Sequence, residues 1–483
     1  MARVSLSGGA YTARSVIAGA QRCVNLYAEI NPDDAPVKRT YYPRPGLRGL
    51  STPPTAGAGR GLFRASSGLL YAVVGWTLYA IGSDWAWTRV GDLASGRTGP
   101  VSMEDNGVSM LVVDGSTDGF VVDLATNEFS AISSAGFQGG DRVGFLDTFF
   151  VLNRPDGTAF YSSLGISTTF DPLYFAAKIG YADKLASLTV MHREIWLFGE
   201  RTSEIWVNSG GADFPFEIMT GAFIAHGCAA KHSVATIGEA AFWLSADAQG
   251  QAVVLQGGGY QAKPISTPAV ANAIGGYSRI DDAVAMTFQL AGHQFYVLTF
   301  PTADKTWAFD VSSGEWSEFV WVDGDGAEHR HRAGAMAFCY GEAVALDWET
   351  GALYAQDLDV FDDDGDPVVY RRGFPHMTAD GDRVIYTTFV ADMEVGTANA
   401  SAFETAAGAD IAGPALSLRW SDTKGASWNN PVQVGMGATG QFYNSLQFQR
   451  LGMARDRVFE LFWSAPVRTA LNGAWIDSRK LGS

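Results

Sequence analysis

The sequence predicts an all-β protein: a β-propeller of about seven four-stranded blades, with six or eight also compatible, followed by an antiparallel β-sandwich platform. Three observations carry this. One pattern recurs seven times from about Gly61 to Gly373: an apolar run, a tight polar turn, then a second, stronger apolar run. Successive turns lie roughly 40–55 residues apart, the length of one four-stranded blade. The 56 Gly and the 12% aromatic content suit short strands joined by hairpins. No helical periodicity persists beyond about ten residues.

Residues 1–55 hold no blade pattern. RCVNLYAEINP and YYPRPGL, with Pro36, Pro43, Pro45, Pro53 and Pro54, read as an extended arm. TPPTAGAG (52–59) reads as the linker into the first repeat. The arm is expected to lie outside the propeller ring and to pack on the platform.

Residues 56–375 form the predicted propeller. Its turns are Ser66-Ser67-Gly68, Glu104 to Gly107, Leu146-Asp147, His192 to Glu194, Gly238-Glu239, Gly292-His293 and Tyr340 to Glu342. Runs such as LLYAVVG, TFFVLN and QFYVLTF follow them. A second turn recurs in the outer half of a blade: Asp123 to Asn127, Asp310 to Gly314 and Asp347 to Gly351. There the Asp side chain is expected to accept bonds from the turn's N–H groups. Asn or Gly supplies the left-handed backbone. Two Asp/Gly-rich loops, VDGDGAEHRHR (322–332) and FDDDGDP (361–367), invite a calcium reading. Pro367 stands where an EF-hand needs Gly, and no Glu closes the loop, so solvated hairpin tips are preferred. His329, Arg330, His331 and Arg332 read as a basic loop tip rather than a metal pair.

From about residue 376 the strands lengthen and lose blade spacing. Alternation in Phe442, Leu446, Phe448 and in Val458, Phe459, Leu461, Trp463 predicts a sandwich over 376–483, with a small-residue loop at 397–415. SDTKGASW (421–428) resembles an Asp-box turn: Ser421, Gly425 and Trp428 match, and Thr423 replaces the Asp. That motif braces a hairpin and carries no catalysis.

The net charge of −17 is uneven. Residues 1–60 carry eight Lys/Arg against three Asp/Glu, the array 17 against 38, and residues 376–483 nine against ten. An acidic body does not attract nucleic acid, although it can line a channel along which DNA slides. Cys23, Cys228 and Cys339 are scattered, which predicts a reducing compartment and no disulfide framework. The N-terminal residues lack a signal-peptide core, and no run of about 18 apolar residues predicts a membrane helix. HExxH, Walker A, Rossmann and Gly-x-Ser-x-Gly patterns are absent, and no carboxylate pair stands out for glycoside hydrolysis. No enzyme activity and no cofactor are expected. The alternative is a carbohydrate-binding or glycoside-hydrolysing propeller, prompted by Trp76, Trp85, Trp87, Trp316 and Trp321. An inter-blade core role for these rings carries more weight.

The flanks carry a resemblance. Arg22, Asn25, Leu26 and Tyr27, then Pro43, Pro45, Gly46 and Leu47, then the repeat array, then the RLGMARDRVFEL stretch with Arg455 and Arg457, resemble the packaged-DNA stabilisation proteins of short-tailed phages. These are tail hub, or nozzle, proteins. The resemblance implies a structural virion protein, a homohexamer beneath the head–tail adaptor ring. Tail fibre or tailspike, and a needle or plug, are further implied neighbours. Packaged double-stranded DNA would pass an acidic lumen without sequence-specific binding. The implied location is the virion tail, after assembly in the host bacterial cytoplasm.

Overall fold

The computed structural model describes residues 2–6, 8–12, 20–246, 250–379, 381–395, 413–437, 440–441 and 445–481. Each repeat becomes a meander because its turn accepts a left-handed backbone. Gly68, Gly107, Asp147, His192, Gly238, Gly292 and Tyr340 all have φ between 51° and 87°. Where two successive turn residues are left-handed, as at His192-Arg193 and Tyr340-Gly341, the hairpin twist matches that of the strands. Every one of the seven predicted turns joins the first two strands of a sheet.

Six consecutive four-stranded meanders, blades 1 to 6, occupy residues 59–92, 102–131, 143–176, 185–224, 235–264 and 284–318. A seventh sheet closes the ring. Three of its strands, Ala333–Cys339, Glu342–Asp347 and Leu353–Asp357, are consecutive. Its fourth is Gly46–Ser51 from the arm, paired antiparallel from Leu353↔Ser51 to Asp357↔Gly46. The expectation that all of residues 1–55 lies outside the ring is therefore corrected. A propeller must join its first and last blades, and sheet hydrogen bonds to the opposite end of the chain do so here. The second recurrent turn forms as expected: Asp123 and Asp347 each accept from the N–H groups two and three positions on, and Asp310 accepts from Ser312 N and the Ser313 hydroxyl. Asp347, however, lies between the second and third strands of blade 7, not in its outer hairpin.

The arm also enters the C-terminal region. One sheet runs Leu446–Gln449, Val384–Glu394, Ala470–Lys480, Arg39–Pro43, Leu26–Ile30, with Ala2–Val4 also on Ala470–Lys480. The other runs Val432–Gly435, Ala415–Ser421, Asp456–Trp463, Tyr370–Gly373, Cys23–Val24. Cys23–Val24 continues into blade 6 by a parallel bridge, Glu318↔Val24. The two sheets bury Phe389 against Phe459, with ring centroids 5.2 Å apart. Leu418, Leu446, Phe448, Leu461 and Ile476 complete the interior of this sandwich. The helix Pro268–Gly275, capped by Thr267, places Val270 and Ile274 in the same core cluster, which extends into blades 5 and 6. Phe442 and residues 397–412 of the expected loop lie outside the described residues. The three cysteines are free and buried.

Candidate assembly site

Asn25 stands where arm, propeller and platform meet. It is fully buried, with φ 56°, a conformation that Asn tolerates better than most residues. Its Nδ2 donates to the carbonyls of Val320 and Val369, both at 2.9 Å. Its Oδ1 accepts from Val320 N at 2.8 Å and Arg44 Nε at 2.9 Å. Val320 leaves blade 6 and Val369 enters the platform, so one amide fastens three segments with its bonding capacity met.

Arg44, held between Pro43 and Pro45, is 1% exposed. It grips Asp363 through two bonds of 2.9 and 2.5 Å and donates to the carbonyls of Pro45 and Val320. The FDDDGDP loop is thus not a fully solvated tip. It is a hairpin, left-handed at Asp364 and Gly365, whose Asp363 is buried by the arm. Gly46 lies so close to that loop that a Cβ would sit 2.4 Å from the Asp362 carbonyl oxygen. Leu47 is buried, and its carbonyl accepts from Asp364 N at 2.7 Å. Leu26 pairs with Pro43. Tyr27 meets His293 and Phe295 of blade 6 edge-on, at 5.0 and 5.7 Å.

Arg22 opens a chain of alternating charges across the same junction. It bonds Glu318 of blade 6 at 2.5 Å and Glu328 at 3.0 Å. Glu328 also meets Arg371 at 3.1 Å, and Arg371 meets Glu460 at 3.6 Å. Arg419 then pairs with Glu460 at 2.6 Å. Burial works against the Glu328 carboxylate, but Arg22 and Arg371 outweigh it and hold it below the usual range. Arg372, fully buried, donates to the Leu6 and Gly8 carbonyls and lies over the Tyr41 ring.

The two C-terminal arginines differ. Arg457 is 2% exposed, bonds Asp422 at 2.6 and 2.8 Å, and spans the Tyr386 and Trp420 rings. Arg455 is exposed and reaches the Gly381 carbonyl. In the Asp-box-like turn, Ser421 Oγ accepts from Gly425 N at 2.8 Å, and Thr423 Oγ1 accepts from Ser427 N at 2.8 Å. Thr423 so acts as the acceptor in the turn, and Trp428 is covered by Arg419 at 4.6 Å.

Sequence reasoning singled out Arg22 and Asn25 but missed Arg44 and the acids that receive these cations. The signal for Arg44 was available: a charged residue between two prolines in a buried-looking arm. Asp363 and Glu460 carried no local signal, because their partners lie hundreds or tens of residues away.

The family model described as "Bacteriophage P22 Gp10, beta-propeller" matches residues 3–360, the arm together with all seven blades. The chain belongs to this phage stabilisation family. It is a phage structural β-propeller protein. No curated protein matches it. Among solved structures, the extracellular domain of a hybrid two component system from B. thetaiotaomicron shares 7% identity at a TM-score of 0.45, over 64% of this chain and 39% of that one. The chain therefore spans about two fifths of that relative. The WD40 β-propeller domain of Doa1 shares 11% identity at a TM-score of 0.41, over 65% of this chain and 98% of that one.

In this phage propeller the first strands of all seven blades line an axial cavity of about 540 Å³. Such a volume suits small molecules or water, not a nucleic-acid duplex. Arg60, Glu104, Arg142 and His232 face it. Burial pushes the Glu104 carboxyl up to about 7. Burial, with Arg142 and Lys231 nearby, pushes the His232 imidazole down to about 3. Among the described residues no group of three or more His, Cys, Asp or Glu could hold a metal ion. None of their helices is long and apolar enough to cross a membrane.

The late loops are not basic tips. His329 bonds Asp304 and Asp323, His331 is buried, Arg332 pairs with Asp347, and Arg330 stacks on Trp348 at 3.5 Å. Of the tryptophans behind the carbohydrate reading, Trp316 is 1% exposed, and Trp85 and Trp87 pack on the core between blades 1 and 7. Trp321 donates to Asp366, and Trp76 is exposed.

Proposed function

We propose that this chain is a tail hub, or nozzle, subunit that extends the portal–adaptor channel, retains packaged DNA and conducts it during ejection. The observation that carries this reading is the joining of propeller and platform by the arm. One short segment is hydrogen-bonded into blade 6, blade 7 and both platform sheets. A subunit built this way spreads load over many strand ladders and has no single hinge. The axial cavity is too small for DNA, so the conduit lies between copies. A homohexamer around a shared lumen provides it, with the array's excess of acids lowering phosphate adhesion. The head–tail adaptor is the proximal partner, and tailspike or fibre and a needle or plug are the distal ones. Assembly takes place in the host cytoplasm. The chain acts without catalysis or cofactor. Particles assembled without this chain should lose packaged DNA, read as nuclease-accessible DNA after head filling. Particles that keep a full, protected genome without it would contradict the retention role.

A further inference from the structure

The axial cavity has two unlike ends. Where the first strands of the blades begin, it adjoins a recess of about 430 Å³ lined in part by Arg60, Arg330, Trp348 and Glu349. Where those strands reach their turns, it adjoins another of about 570 Å³, lined in part by Ile237, Phe288 and Phe338. Shared lining residues join the three spaces: Arg60, Pro100 and Gly334 at the first end, Thr236, Thr287 and Met336 at the second. One end of the cavity thus carries arginines and the other apolar side chains. Glu104 is the only acid among the described residues that line the cavity itself.

Arg142 sits at the arginine end, one residue before the first strand of blade 3, Val143–Leu146. Protein surrounds it, yet it keeps some surface on the cavity. Its Nη2 donates to the Val234 carbonyl at 2.9 Å, which tethers blade 3 to the entry of blade 5. Neighbouring cations are neutralised: Arg60 by Asp114 at 3.4 Å, and Lys231 by Asp141 at 2.5 Å. Arg142 has no such ion pair among the described residues, and burial pulls its pKa below that of an ordinary guanidinium. A guanidinium offers five N–H donors, so one carbonyl leaves most of them open to the cavity. A charge enclosed without a counter-charge is costly. The Ser102 and Thr189 hydroxyls and the His232 ring line the same space as further hydrogen-bonding groups.

We propose that the axial cavity is a binding site for a small oxyanion, a phosphate or carboxylate group held by the Arg142 guanidinium. The planar fork of an arginine matches either group through two parallel hydrogen bonds. The bound anion supplies the counter-charge that Arg142 lacks. The volume admits a small molecule and excludes a polymer. Entry is from the arginine end, where Arg60 and Arg330 flank the recess and Arg330 is held flat on Trp348 at 3.5 Å. The apolar end offers an anion no partner. Because Arg142 already joins blade 3 to blade 5, an anion on it also braces the ring from within. The site lies inside one chain and does not rest on the hub reading.

The test titrates the full chain with inorganic phosphate and, separately, with succinate, at matched ionic strength, by calorimetry and thermal shift. One saturable site per chain is expected, with the unfolding temperature rising as it fills. Arg142→Gln should weaken binding at least roughly tenfold, as loss of a charge-assisted, bidentate partner does. Should that variant fold poorly without its tether to Val234, Thr189→Glu leaves the arginine in place and sets a carboxylate on the cavity wall. It should weaken binding in the same direction. Arg193→Gln, at an exposed turn outside the cavity, should bind like the wild type. Saturation by either anion with this pattern of variants supports the site; tighter phosphate assigns a phosphoryl ligand, and tighter succinate a carboxylate. No saturable binding of either anion would overturn the proposal. So would binding that survives both cavity variants, or binding that Arg193→Gln weakens as much as they do.

Discussion

Asn25 and Arg44 together make eight side-chain hydrogen bonds at the junction. Replacing Asn25 with Ala strips partners from three buried backbone groups and places Ala at φ 56°. The expected loss is ~3–5 kcal/mol, read from urea unfolding. Arg44→Met should cost a similar ~3–5 kcal/mol, because it leaves Asp363 charged and unpaired in the interior. Adding Asp363→Leu to Arg44→Met should recover most of that, and an equal or larger loss in the double variant would contradict the pairing. Glu104 gives a pH signature. With its carboxyl raised to about 7, the folded state binds a proton more tightly than the unfolded chain between pH 4.5 and 7. Stability from this group therefore falls as pH rises through that window, and the cost is complete above it. Glu104→Gln should be more stable than the wild type by ~1–3 kcal/mol at pH 8.5, the two converging near pH 4.5. A difference that does not change with pH would contradict the burial of that carboxyl.

At the scale of elements, the arm strand Gly46–Ser51 matters most. Removing residues 1–55 deletes the fourth strand of blade 7 and exposes the edge of Leu353–Asp357. Such a truncation should lose hydrogen-exchange protection first over 342–357, with aggregation following from the open edge. Unchanged protection there would show that the ring closes without the arm. The blades were legible because their turns combine local punctuation with a fixed period: His192-Arg193 and Gly292-His293 announce hairpins from sequence alone. Ring closure was not legible. Gly46–Ser51 pairs with strands about 300 residues away, and a strand's partner leaves no local mark. For the same reason Asp363 reads as a loop acid from sequence, because the Arg44 that buries it lies 319 residues away. The Asp123 and Asp310 turns were readable in full because their bonds span only three or four residues.

At the scale of the whole molecule, one core cluster runs from the platform through the arm into blades 5 and 6, so propeller and platform are predicted to unfold together. A single calorimetric transition is expected; two well-separated transitions would contradict a joined wall. The sequence flanks resemble those of an assembling protein, and in the fold the arm locks the propeller to the platform; in the proposed hub the propeller supplies the wall. The central claim is that copies of this wall surround a shared conduit. Electron microscopy of the purified chain bound to its head–tail adaptor tests it most directly. The account predicts a six-fold ring with a central lumen wide enough for duplex DNA; a stable monomer that never joins the adaptor, or a ring whose lumen excludes a duplex, would contradict it.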